Sequence, residues 1–69
     1  MLPTPKQLRV ERAIAAFTAE HGFAPSVREL AEQFHMTGPS MQGLLDRMEQ
    51  RGRIKRTPGM ARTVEVVRE

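Results

Sequence analysis

Three times before Gly52 the chain sets apolar side chains at i, i+3, i+4 and i+7, and after Gly52 that rhythm gives way to alternation. The stripes are Val10, Ala13, Ile14 and Phe17, then Val27, Leu30, Ala31 and Phe34, then Met41, Leu44, Leu45 and Met48. Each marks one buried face of a helix with a period of 3.6 residues. Helices this short are marginal alone in water, so the three stripes must share one core. Punctuation sets the limits. Thr4-Pro5 opens the first helix with a cap residue and a proline at the first helical position, and Gly22 closes it, giving a helix over about 5–21. Ser26-Val27-Arg28-Glu29 is a capping box that starts the second, over about 26–34. His35-Met36-Thr37 is the turn, and the third helix covers about 38–51, with Thr37 or Gly38 as its cap ahead of Pro39. Arg9, Glu11, Arg12 and Glu20 fall on the other faces of the first helix.

Beyond Gly52 the segments 53–57 and 62–67 are rich in β-branched residues and read as strands, with Pro58-Gly59 as the turn between them. A lone hairpin is unstable, so Ile54, Val64 and Val66 should rest on the helices and leave Arg53, Lys55 and Glu65 toward solvent. The predicted fold class is mainly α: one domain over 1–69, three helices in winged helix-turn-helix order, and a C-terminal two-stranded β-hairpin wing over about 53–67.

The 69 residues suffice for one domain and leave no room for a large substrate cavity. There is no Cys, which removes disulfides, thiolate metal sites and cysteine nucleophiles and points to a reducing cytoplasm. The longest apolar run, Ala13-Ile14-Ala15-Ala16-Phe17, is far too short to span a bilayer, and the N-terminus lacks a signal-peptide layout. His21 and His35 have no ligand partners at metal spacing, and Ser26 and Ser40 have no His–acid arrangement. Neither a cofactor, a metal nor an enzymatic activity is expected. Net charge is +3, but residues 47–62 hold six bases against one acid, and the remainder is net negative. That asymmetry suits a polyanion facing the C-terminal third. Double-stranded DNA is the partner this order of elements fits best, with the third helix in the major groove and the wing on phosphates.

The segments Gly22-Phe23-Ala24-Pro25-Ser26-Val27-Arg28-Glu29-Leu30-Ala31-Glu32 and Gly52-Arg53-Ile54-Lys55-Arg56-Thr57-Pro58-Gly59-Met60-Ala61-Arg62 resemble the N-terminal DNA-binding domain of LexA-type repressors. Thr4-Pro5-Lys6-Gln7 and Ala19-Glu20-His21-Gly22 fit the same pattern. The resemblance implies a transcriptional repressor that recognises palindromic operators, in an SOS-type setting. Two departures stand out. The chain is one residue shorter than typical members between Phe34 and Leu45, and Thr37-Gly38-Pro39-Ser40-Met41-Gln42-Gly43 replaces a polar run. The family's protease and dimerisation domain, with its cleavage site and Ser/Lys pair, is not in this sequence. Two origins fit, an excised domain or a free-standing regulator of bacterial or phage origin. A chain that is monomeric when free and paired on DNA is expected.

The recognition candidates are Thr37, Gly38, Pro39, Ser40, Gln42 and Gly43. Gln42 suits bidentate pairing with adenine, and the Pro39 ring suits a thymine methyl. Thr37 and Ser40 can donate to phosphates or simply start the helix. An interior helical glycine costs about 1 kcal/mol relative to alanine, so Gly43 implies close approach of a partner or tight helix contact. Backbone candidates are Ser26, Arg28, Arg47, Arg53, Lys55, Arg56 and Arg62; alternate strand residues point apart, so they cannot all face one duplex. Met60 at the wing tip can reach a minor groove. The competing role is a winged-helix protein-interaction module using an apolar patch of Met41, Leu44 and Met60. RNA binding lacks an aromatic stacking platform.

Overall fold

Thr4 nucleates the first helix with more than its own hydroxyl. Its Oγ1 accepts from the Gln7 N–H at 3.1 Å, and the Gln7 side chain accepts from the Thr4 N–H at 3.3 Å, a complete capping box. The computed structural model describes residues 4–67, so the ends of the 1–69 domain span lie outside the described residues. Helix α1 (Pro5–His21) ends at Gly22, α2 (Val27–Gln33) and α3 (Gly38–Gln50) follow, and β1 (Ile54–Lys55) pairs antiparallel with β2 (Glu65–Val66). Three helices and a following hairpin make a winged helix. No helix among the described residues is long and apolar enough to cross a membrane.

The helix-turn-helix corner is set by backbone chemistry. Ser26 and Glu29 cap α2 reciprocally, at 3.1 and 2.8 Å. At its other end the Met36 N–H reaches Ala31 O at 2.8 Å and the His35 N–H reaches Glu32 O at 3.2 Å, with Phe34 as the cap. This is a Schellman closure in which His35, at φ 55°, takes the left-handed position that glycine normally fills. Thr37 then caps α3, accepting from the Ser40 N–H at 3.2 Å, so Gly38 is the first helical residue and not the cap. Ser26 and Phe34 likewise flank α2 as caps and are not part of it.

A second Schellman closure ends α3. Gly52 sits at φ 73°, its N–H bonded to Glu49 O at 2.9 Å and the Arg53 N–H to Met48 O at 2.9 Å. The left-handed glycine turns the chain so that Ile54 drops beneath the helices, where it is buried. One core results, of Val10, Ile14, Leu30, Ala31, Met41, Leu44, Leu45, Met48, Ile54 and Val64. β1 lies against α3 and β2 against α1, while α2 packs chiefly on α3.

The strands are two residues each, shorter than the sequence pattern suggests. Residues 57–60 form a type II turn, with Pro58 and left-handed Gly59 at its centre and the Met60 N–H on Thr57 O at 3.2 Å. The Thr63 hydroxyl seals this loop, accepting from the Thr57 N–H at 2.9 Å. Arg62 at φ 58° leaves extended geometry altogether, so the ladder cannot continue outward. Val64 is buried and Val66 half-buried, with Lys55 and Glu65 outward.

Arg53 departs from the expected solvent-facing position, because its guanidinium turns back onto Glu11. Glu11 is correspondingly buried on α1, not on a solvent face. Nε and Nη2 each donate to one carboxylate oxygen at 3.0 Å, a bidentate pair. Beside it Gln7, only 2% exposed, accepts from Arg51 Nη1 at 3.3 Å.

Two stability predictions follow from these ends. His35→Gly removes left-handed strain of about 1–2 kcal/mol against an entropic penalty of about 0.5–1 kcal/mol. Thermal unfolding followed by circular dichroism should show a gain of up to about 1.5 kcal/mol, and a loss would reject the strain argument. The Glu29 carboxyl is held below its ordinary value, first by the Ser26 N–H and then by Arg62, with desolvation opposing. A depressed carboxylate stabilises the fold above its unfolded pKa, and that contribution disappears as pH falls through the folded one. Acidification through and below the ordinary carboxylate range should therefore weaken the fold, and Glu29→Gln should flatten that dependence.

Candidate nucleic-acid interface

Helix α3 gives one face to the core through Met41, Leu44, Leu45 and Met48 and exposes the rest. With 100° between residues, the face opposite the core carries Pro39, Gly43, Asp46 and Gln50, with Arg47 beside it. One flank, with Gln42, Asp46 and Glu49, turns toward the wing across a cleft of about 350 Å³ that residues 57–60 close on the far side. The other flank, with Ser40, Arg47 and Arg51, turns toward the start of α1, where Arg51 meets Gln7.

Among the recognition candidates, Thr37, Gly38, Pro39, Ser40 and Gln42 are exposed and Gly43 is half-buried. The Thr37 hydroxyl both caps the helix and donates to Ser40 Oγ at 2.9 Å, so its protons and lone pairs serve the local fold first. Ser40 Oγ accepts that bond, which leaves its own proton for an outside acceptor. A Cβ built on Gly43 would meet only Arg47 Nη1, at 3.8 Å, an ordinary contact. Helix packing therefore does not demand this glycine.

The basic candidates divide by what already holds them. Arg28, with a side chain 90% exposed, pairs loosely with Glu32 at 3.6 Å one turn along, and Lys55 pairs across the strands with Glu65 at 3.1 Å. Exposed pairs of this kind are worth about 0.2–1 kcal/mol and exchange readily for another anion. Among the described residues Arg47 makes no ion pair. Arg53 is different: its bidentate partner Glu11 is largely buried, and vacating it would strand a carboxylate. Arg62 clasps the α1–α2 connector, donating to Glu29 at 2.7 Å and Ala24 O at 3.2 Å with its guanidinium 5.0 Å over the Phe23 ring. Arg56 donates through Nη2 to both Asp46 and Glu49, the latter at 2.9 Å. Burial alone would lower the Arg56 guanidinium, but the two carboxylates outweigh it and the net shift is upward. Ser26 is committed to capping Glu29.

The excess of positive charge in residues 47–62 is thus met by acids from elsewhere in the chain, chiefly Glu11, Glu29, Asp46 and Glu65. The wing is not a bare basic ribbon. Exposed cations that sequence reasoning passed over lie at the start of α1 and the end of α3, namely Lys6, Arg9 and Arg51. The apolar patch expected of an interaction module also dissolves, since Met41 is 0% and Leu44 5% exposed and only Met60 stands out.

Gly43→Ala separates packing from recognition. With open space around the Cβ, alanine should stabilise the fold by about 1 kcal/mol in chemical denaturation. Destabilisation would show that the glycine serves the helix after all.

The sequence matches known proteins over nearly its whole length. The model of the LexA DNA binding domain matches residues 2–63. The LexA repressor of Magnetococcus marinus (strain ATCC BAA-1437 / JCM 17883 / MC-1) is 36% identical over 64 residues, covering 93% of this chain and 28% of the relative. That of Bacillus subtilis (strain 168) is 37% identical over 65 residues, 93% of this chain and 32% of the relative. That of Leptospira interrogans serogroup Icterohaemorrhagiae serovar Lai is 32% identical over 66 residues, 96% and 32%. The chain spans under a third of the length of these curated relatives. Matched by that model over residues 2–63, and folded as three capped helices followed by a short wing, the chain belongs to the LexA DNA-binding domain family.

Proposed function

We propose that this chain is the operator-binding module of a LexA-type transcriptional repressor, acting on double-stranded DNA inside a bacterial cell. The N-terminal half of α3 enters the major groove. Gln42 reads a base edge, Pro39 and Gly43 allow close approach, and Ser40 donates to a phosphate. Arg28, Arg47 and Lys55 neutralise backbone phosphates, joined by Arg51 on the α1 flank. Arg53, Arg56, Arg62, Ser26 and Thr37 chiefly fix the wing and helix starts from which those contacts are made. Two copies pair on a palindromic operator, with half-sites about 34–36 Å apart.

The observation that carries this reading is the exposed N-terminal half of α3. Gly38, Pro39 and Gln42 are exposed, and Gly43 is a glycine that no neighbour within the chain requires. The protein-interaction alternative has lost its patch, since two of its three residues are core.

Selection from a random duplex pool, followed by titration at several salt concentrations, tests the proposal. One sequence should be enriched, with a steeply negative log–log salt slope. Lys55→Ala should weaken binding to all sequences and shallow that slope by about one unit. Gln42→Ala should relax preference at one base position, by about 1–3 kcal/mol. A pool that emerges unenriched together with a flat slope would reject the role.

A further inference from the structure

The wing and α3 are joined by a charge cluster that the proposed DNA-binding role does not require. Arg56 leaves the end of β1 and inserts between Asp46 and Glu49, which lie one turn apart on the wing-facing flank of α3. Its side chain is 15% exposed although it lines an open cleft, while the two carboxylates are 52% and 40% exposed. A single guanidinium nitrogen thus serves two acids, and the acids are the more accessible half of the cluster. Gln42, the best base-reading candidate, lines the same cleft.

Three consequences follow from that arrangement. First, the guanidinium is withheld from any phosphate approaching the wing, because reaching one would leave two like charges on adjacent turns of α3. Second, the pair of carboxylates keeps negative potential on the wing-facing flank of α3, which opposes a phosphate backbone there. Third, two acids on one cation make a cluster whose ordering is shared, so it outlasts the isolated exposed pairs at Lys55 and Arg28. Repulsion of the wrong arrangement is a common source of specificity, alongside attraction for the right one.

We infer that Asp46 and Glu49 are positioning residues, which lock Arg56 and the base of the wing onto α3 and so lower the sequence-independent part of DNA binding. The inference rests on the operator-binding role proposed above. Neither acid reads a base. They act by removing one wing cation from the phosphate-neutralising set and by holding the wing at a fixed distance from Gln42.

Salt-dependent titration of a random-sequence duplex tests the lock with four proteins: wild type, Asp46→Asn/Glu49→Gln, the same double variant with Arg56→Gln, and a charge-matched Glu20→Gln/Glu69→Gln, which leaves in place the acids paired with Arg28 and Lys55. Freeing Arg56 should steepen the log–log slope of the first double variant by about 0.9, one phosphate contact, and raise its random-sequence affinity several-fold. Adding Arg56→Gln should return the slope to the wild-type value, and the charge-matched variant should not steepen it. A slope that stays at the wild-type value in the first double variant, or stays steep after Arg56→Gln, overturns the lock. A wild type that binds no duplex at any salt overturns the operator-binding role and the lock with it. Nuclear magnetic resonance of the wild type provides a reading that no substitution can disturb. Arg56 guanidinium signals should be unmoved by random-sequence duplex, and a shift comparable to that of Lys55 overturns the lock.

Discussion

Only one face of α3 can be spent on the core, and the rest of the molecule is arranged around that limit. Met41, Leu44, Leu45 and Met48 turn inward and meet α1, α2 and Ile54. Burying those side chains contributes about 1.5–3 kcal/mol each, against which the exposed ion pairs are small. The remaining faces are therefore free to differ in character without unfolding the chain. One allows close approach at its N-terminal end, one is acidic toward the wing, one basic toward α1. The two Schellman closures at His35 and Gly52 fix where α3 begins and where the wing leaves it, so the faces keep their orientation.

What could be read from the sequence was local. Helix limits and the Ser26–Glu29 box depend on neighbours three or four positions apart, and the apolar stripes name the core directly. The Thr4–Gln7 box was equally available as a Thr-x-x-Gln spacing, although only Thr4 and Pro5 signalled it in the reading by pattern. Pairings over distance were not available. Glu11 and Arg53 are 42 positions apart, and Glu29 and Arg62 are 33 apart. Nothing in a periodic pattern says that an acid on α1 will meet an arginine at the wing. Alternation also overstated the strands, because it is silent on Arg62 taking a left-handed conformation.

Charge read along the chain and charge met in space differ for the same reason. The local excess over residues 47–62 suggested a basic ribbon, yet most of those bases reach acids outside the segment. The strength of each pairing decides its meaning. Lys55 is held weakly and can be given up to a phosphate, whereas Arg53 would leave a largely buried carboxylate behind. A count of arginines overestimates the grip of such a surface, and the distribution of partners gives the better measure. The relatives share the scaffold at 32–37% identity, which leaves room for such differences on the flanks.

The outer face of α3 bears on evolutionary change. Gly38, Pro39, Gln42, Gly43, Arg47 and Gln50 lie outside the core, so replacing them alters what the surface touches and little else. Divergence at these positions therefore need not wait for compensating changes inside. Gly43 even leaves stability in reserve, available to any descendant that adopts a side chain there.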